Sequence, residues 1–145
     1  MKKILILAAT LFAGTILLYG APEHWTTDYD AAAKQAEKEK KSLLVLFTGS
    51  DWCPGCIALY NNTLNTEKFI RFAKKNLILV YMDSPRNRFQ GITERAMVKK
   101  LERKLEPGPY IPATVIVSKD GRILGRISGY RDVDDYIKQI EGMIK

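Results

Sequence analysis

The sequence contains two cysteines, Cys53 and Cys56, which are separated by Pro54 and Gly55. Two residues at this spacing share one face of a helix, so their sulfur atoms lie within reach of each other. The pair follows a predicted turn at 48–51 and opens a predicted helix. Unpaired backbone N–H groups and the helix dipole stabilise a thiolate at that position. One thiol can then attack a disulfide while the other resolves the mixed disulfide.

A purely structural disulfide is one alternative for this pair. Closing a loop this short stabilises a fold by about 2 kcal/mol, less than longer loops provide. With 46% hydrophobic residues the chain can bury a core without that help. A closed zinc site is excluded because only His24 could join the two cysteines, and c-type haem attachment would need a histidine where Ile57 stands. The pair therefore indicates redox chemistry, and we expect no metal site. The alternative function is a non-catalytic binding module, such as a chaperone that holds Cu(I) between the two thiolates.

Apolar runs predict the strands that position the pair. Residues 43–47 and 77–82 are continuous apolar runs, which are typical of strands covered on both faces. Residues 113–118 and 123–128 flank a turn at 119–122 and predict an antiparallel hairpin.

Helical spacing of apolar residues predicts the elements between the strands. Asn65 or Thr66 is expected to cap the third helix, and 84–91 is expected to be a loop. The predicted helices cover 28–41, 54–60, a segment carrying Phe69, Phe72 and Ala73, then 92–106 and a terminal segment from Val133 to Ile144. The order predicts an α/β fold of three layers, α/β/α, around a mixed sheet of about four to five strands.

The N-terminal segment has the layout of a secretory signal peptide. Lys2 and Lys3 precede an uncharged apolar run at 4–18, and small residues follow it. We expect residues 1–21 to be this signal, with an uncleaved anchor as the alternative because the cleavage point is poorly marked. Residues 22–145 then form one domain in the periplasm or outside the cell, where disulfides persist. Contact with a membrane is expected only if the segment stays uncleaved.

The charge balance is basic, with 23 Lys and Arg against 16 Asp and Glu and a formal net charge of +7. The positive residues alternate with acidic ones, as in 37–40 and 102–104. This pattern indicates solvated helix faces. We therefore expect no nucleic-acid binding.

Three motifs resemble those of the thioredoxin fold. They are Trp52-Cys53-Pro54-Gly55-Cys56 after an apolar strand, Tyr110-Ile111-Pro112-Ala113-Thr114 before the hairpin, and Gly129 after it. The likeness spans about 28–145 and is greatest to exported bacterial thioredoxin-like proteins related to the C-terminal domain of the transmembrane thiol:disulfide interchange protein. It implies a thioredoxin fold and a thiol–disulfide oxidoreductase, with the reducing direction slightly favoured. It also implies protein or small thiol and disulfide substrates, no cofactor beyond the redox-active disulfide, and an external redox partner that resets the pair.

The resemblance implies a role for each motif residue. Cys53 is the expected nucleophile and Cys56 the resolving thiol. Pro112 is expected to follow a cis peptide bond beside the cysteines, and the Ile111 backbone to pair with an extended substrate segment. Trp52 is expected to flank the site. Tyr110 and Tyr130 are candidates for the lining of the substrate groove.

The sequence departs from the usual thioredoxin pattern in two places. Leu46 stands where many thioredoxins bury an acid, so the acceptor for the Cys56 proton is missing, or it is a water or another group. Proline precedes glycine between the cysteines, which leaves the direction of electron flow open because this dipeptide tunes the reduction potential. Asp51 could handle a proton as an auxiliary acid, but a carboxylate at this position is more typical of a helix cap.

Overall fold

The computed structural model describes residues 21–145, so the predicted signal at 1–21 lies outside it apart from Ala21. The strands are β1 (Trp25–Thr26), β2 (Ser42–Thr48), β3 (Leu77–Asp83), β4 (Ala113–Val117) and β5 (Ile123–Ser128). The helices are α1 (Tyr29–Glu39), α2 (Pro54–Leu59), α3 (Glu67–Asn76), α4 (Ile92–Leu105) and α5 (Val133–Ile144), and a π-helical turn at Tyr60–Leu64 continues α2.

The five strands form one mixed sheet in the order β1-β3-β2-β4-β5. β3 is parallel to both β1 and β2, whereas β4 is antiparallel to β2 and to β5. The predicted α/β fold, with its four to five strands and its hairpin, is confirmed. β1 was not predicted, since two residues are too few to show a period.

Helices cover both faces of the sheet, which explains why the central strands are apolar throughout. Side chains alternate along β2: Leu43, Val45 and Phe47 pack in the core beneath α1 and α4. Leu44 and Leu46 point the other way, into the core beneath α2, α3 and α5. The sheet therefore holds β2 rigidly at the centre, and its carboxyl end leads to the two cysteines.

Side-chain caps fix where the helices begin. Asp28 accepts the Ala31 N–H at the start of α1, and Thr66 accepts the Phe69 N–H at the start of α3. Thr66 is thus the cap of the third helix, and not Asn65. Within 21–145 no helix is long and apolar enough to cross a membrane.

The second predicted helix extends further than the sequence indicated. α2 ends at Leu59, and its chain continues as the π-helical turn instead of stopping near Tyr60. Thr63 in this turn is fully buried, and its hydroxyl donates a hydrogen bond of 2.6 Å to the Arg131 carbonyl. This contact joins segments 68 residues apart, so local periodicity gave no sign of it.

A buried hydrogen bond links β4 to the terminal helix. The hydroxyl oxygens of Thr114 and Tyr136 lie 2.6 Å apart, and both side chains are almost completely buried. Burial raises the pKa of Tyr136, which keeps its hydroxyl protonated at neutral pH. The two hydroxyls therefore satisfy each other inside an otherwise apolar layer.

Removing one partner of this bond should destabilise the fold. We expect Tyr136→Phe to lower the free energy of unfolding by about 1–3 kcal/mol, because it leaves the Thr114 hydroxyl buried without a partner. The double variant with Thr114→Val should cost less than the sum of the single variants. Urea unfolding measures all three, with Tyr110→Phe as the exposed control. Equal stability of Tyr136→Phe and Tyr110→Phe would contradict the expectation.

Candidate active site

The two cysteines are joined by a disulfide bond at the start of α2, with their Cα atoms 5.2 Å apart. Cys53 occupies the N-cap position, and its sulfur accepts the Cys56 N–H at 3.3 Å. The exposed fractions are 7% for Cys53 and 2% for Cys56. An amide that points at the Cys53 sulfur would stabilise a negative charge on it after reduction. The arrangement can therefore supply an attacking thiolate and a second, more deeply buried thiol.

Pro112 lies against the cysteine motif. The Ile111–Pro112 peptide bond is cis, and the Ile111 carbonyl oxygen lies 3.9 Å from the Cys53 sulfur. A side chain added at Gly55 would meet the Pro112 ring at 3.5 Å. The Gly129 N–H donates to the Pro112 carbonyl at 2.8 Å. The three motifs singled out in the sequence thus meet at one end of the sheet.

Trp52 is fixed on several sides. Its indole N–H donates to the Ser84 carbonyl at 2.8 Å. The guanidinium carbon of Arg86 lies 3.5 Å from the ring centroid, a cation–π contact. A Cβ atom at Gly49 would lie 2.6 Å from the ring, so only glycine leaves room for the indole there. Trp52 therefore flanks the cysteines and connects their turn to the loop that follows β3.

Asp51 binds the same loop and does not cap α2. Its carboxylate accepts the Arg86 N–H at 3.0 Å and the Asn87 N–H at 2.8 Å. The amide of Arg86 is the main cause that holds the pKa of Asp51 below its ordinary value. The cap interpretation was wrong because the sulfur of Cys53 fills the N-cap position itself. Asp51 is ionised at neutral pH, and its carboxylate holds the loop through these two hydrogen bonds.

Asp83 is a site residue that the sequence analysis missed. Only 6% of it is exposed, and it accepts hydrogen bonds from the Ser50 N–H at 2.9 Å and the Ser50 hydroxyl at 2.6 Å. Arg88 donates to the same carboxylate at 2.8 Å. The available signal was an acid at the end of a strand that is otherwise apolar. Asp83 anchors the turn that precedes the cysteines.

Leu46 lies in an apolar cluster that also contains Leu59 of α2 and Tyr81. Burial raises the pKa of Tyr81 to about 12 and also raises the pKa of Tyr60. Both hydroxyls are therefore protonated at neutral pH and do not act as proton acceptors there. Neither Leu46 nor these two tyrosines therefore replaces the acid that many thioredoxins bury at this position.

Exposed apolar side chains surround the cysteines and Pro112. Tyr110 is 75% exposed and lies two residues before Pro112, and Tyr130, 42% exposed, follows the glycine that bonds to Pro112. Ile57 is 40% exposed and follows Cys56 in α2. The two tyrosines were candidates from the sequence, whereas Ile57 was not. Within residues 21–145, no group of three or more His, Cys, Asp or Glu side chains could hold a metal ion.

The fold and this site define a class of protein. A mixed sheet between two layers of helices, with a Cys-x-x-Cys disulfide at a helix start and a proline loop beside it, is the thioredoxin fold with a dithiol site. The thioredoxin-like domain family matches residues 29–144, and the chain belongs to that family. The resemblance seen in the sequence is confirmed.

Two sequence relatives come from Chlamydia pneumoniae. The disulfide bond reductase DsbH is 28% identical over 99 residues, which are 68% of this chain and 59% of that protein. The thioredoxin-related protein DsbJ is 24% identical over 139 residues, which are 90% of this chain and 39% of that protein. The matched regions thus span about two fifths to three fifths of the lengths of these relatives.

Solved structures share the fold. A DsbH oxidoreductase structure has a TM-score of 0.77 and 24% identity, with 92% of each chain covered. The reduced C-terminal domain of DsbD from Neisseria meningitidis has a TM-score of 0.59 and 24% identity, covering 79% of this chain and 92% of that one. Both likenesses support the three-layer architecture.

Removing the charge of Asp83 should loosen the turn before the cysteines. We expect Asp83→Asn to lower the free energy of unfolding by about 1–3 kcal/mol. In this variant Arg88 loses its ionic partner, and the hydrogen bonds of Ser50 lose their charged acceptor. Amide hydrogen exchange at Ser50 should become faster. Asp120→Asn is the matched control, since Asp120 forms an exposed ion pair with Lys119, and exposed pairs contribute little to stability. Equal losses in both variants would contradict the anchoring role.

Proposed function

We propose that the chain is a thiol–disulfide oxidoreductase that exchanges disulfides with protein or small thiol and disulfide substrates. The observation that carries this proposal is the buried Cys53 sulfur at the N-cap of α2, which accepts the Cys56 amide beside the Pro112 loop. Cys53 is the nucleophile and Cys56 the resolving thiol. The chemistry uses these two sulfur atoms and no bound cofactor.

The reducing direction proceeds in two exchanges. The Cys53 thiolate attacks one sulfur of a substrate disulfide, so a bond forms to Cys53 while the substrate S–S bond breaks and one substrate thiolate leaves. The Cys56 thiol then loses its proton, and its thiolate attacks the Cys53 sulfur, which releases the second substrate thiolate. Two electrons pass to the substrate, its thiolates take up two protons, and the Cys53–Cys56 disulfide forms. An external dithiol must reduce that disulfide again.

The surroundings of the cysteines suit an extended substrate segment. The Ile111 backbone would pair with this segment while Pro112 packs against the sulfur atoms. The exposed rings of Tyr110 and Tyr130 would contact its apolar side chains. Trp52 would border the groove on the other side. Contacts with the exposed rings would bury apolar area of the substrate. Backbone pairing does not depend on the substrate's side chains, so this groove suits a range of protein substrates.

We propose the reducing direction as the physiological one. The relative with 28% identity is named a disulfide bond reductase, which supports this choice. The Pro54-Gly55 dipeptide is the element of the motif expected to tune the potential.

We also propose that residues 1–21 direct export to the periplasm or the cell exterior. N-terminal sequencing of the chain recovered from an expressing bacterium tests this proposal. A mature form that begins near residue 22 in the periplasmic fraction is expected. Full-length chain in the membrane fraction would replace the cleaved signal with an uncleaved anchor, and full-length chain in the cytoplasm would contradict export.

Substitution of each cysteine tests the oxidoreductase proposal. Cys53→Ser should reduce disulfide reduction to the uncatalysed background, because the attacking sulfur is absent. Cys56→Ser should accumulate a mixed disulfide, since its resolving thiol is absent. Turnover is measured with a disulfide peptide, and titration in glutathione redox buffers should show a reversible two-electron transition. Inert thiols together with stoichiometric Cu(I) binding would contradict the proposal and favour a copper chaperone.

A further inference from the structure

Arg86 places a positive charge beside the dithiol. Its guanidinium carbon lies 3.5 Å from the centroid of the Trp52 ring, and Trp52 directly precedes Cys53. The Arg86 side chain is exposed. Stacking covers one face of the guanidinium, but the N–H groups at its edge remain available to an incoming carboxylate.

The neighbouring arginines are engaged with acids of the chain itself. Arg88 pairs with Asp83 at 2.8 Å, and Arg131 lies 3.6 Å from Asp135. Among the residues that the structure describes, Arg86 has no carboxylate within salt-bridge distance. Within the described residues its guanidinium therefore forms no side-chain ion pair, and the acid nearest to it in the loop contacts, Asp51, accepts its backbone N–H.

The backbone that carries Arg86 is held in place before any substrate binds. The Arg86 N–H donates to the Asp51 carboxylate at 3.0 Å, and the Asn87 side chain donates to the Asp51 carbonyl at 2.9 Å. Ser84 accepts the Trp52 indole N–H. Because these contacts restrict the loop, little conformational entropy is lost when the guanidinium binds an anion.

We propose that Arg86 is a specificity-determining residue that binds a carboxylate flanking the substrate cysteine. This inference rests on the proposed oxidoreductase function. The preferred substrate is a peptide segment whose disulfide cysteine is next to Asp or Glu. Ile57, Tyr110 and Tyr130 expose apolar surface near the cysteines, whereas Arg86 adds a positive charge there. A basic neighbour of the substrate cysteine is disfavoured by the same charge.

Three matched disulfide peptides test the inference, with Glu, Gln or Lys next to the cysteine. At low salt the wild-type chain should reduce the Glu peptide with the highest kcat/KM and the Lys peptide with the lowest. Arg86→Gln should lower the preference for Glu over Gln about fivefold, mainly through KM, as expected for an exposed charge pair. Added salt should weaken the preference of the wild-type chain and leave that of the variant unchanged.

Arg122→Gln is the matched control. It removes the same charge from the turn between β4 and β5, at the end of β4 that lies away from Pro112. The control should retain the wild-type preference. Arg86→Lys keeps the charge but loses the planar stack, so it should retain only part of the preference.

Other outcomes separate the failure of this inference from that of the proposed function. If Arg86→Gln keeps the full preference for the Glu peptide, or slows all three peptides equally, the inference is wrong while the oxidoreductase function stands. If the wild-type chain reduces none of the three peptides, the oxidoreductase function itself is wrong, and if Cys53→Ser reduces the Gln peptide at the wild-type rate, the role of Cys53 is wrong.

Discussion

The sulfur of Cys53 caps the start of α2, a role that a serine, threonine or aspartate side chain commonly has in other helices. It accepts the N–H of Cys56 at 3.3 Å, and the same N–H also donates to the Cys53 carbonyl at 3.1 Å. Caps made by side-chain oxygen atoms are worth about 1 kcal/mol, and a sulfur atom is a weaker acceptor than an oxygen. When the disulfide is reduced and the sulfur ionises, the acceptor carries a charge, and charge-assisted hydrogen bonds are stronger than neutral ones. The same contact that begins the helix therefore favours the reactive form of the nucleophile.

That contact has the right geometry only if the preceding turn is held still. Two carboxylates hold it: Asp51 accepts amides of the loop after β3, and Asp83 at the end of β3 accepts the Ser50 N–H. The Trp52 indole adds a third connection to the same loop. Both acids accept hydrogen bonds across this junction and so help to fix the position of the turn. A rigid turn keeps the amide of Cys56 directed at the sulfur.

The fold could be predicted from the sequence because burial on both faces leaves a plain signal. The runs 43–47 and 77–82 correspond to strands that are only slightly longer, since Thr48 and Asp83 extend them with polar residues. The two-residue β1 lacks any periodic signal and depends on pairing with β3. The π-helical turn depends on the buried Thr63 hydroxyl and the distant Arg131 carbonyl, which no local pattern records.

The site was predictable where its chemistry is carried by residue type, as with the cysteines, and not where it depends on contacts across the fold. Asp83 acquires its role from a turn that lies 33 residues away in sequence. Asp51 was assigned to a local cap for the same reason. Leu46 stands in the layer beneath α2, where many thioredoxins have a buried acid. The acids near the cysteines in this chain hold the turn instead. The carboxylates of Asp51 and Asp83 thus lie at the junction between the turn and the loop, where they set its geometry.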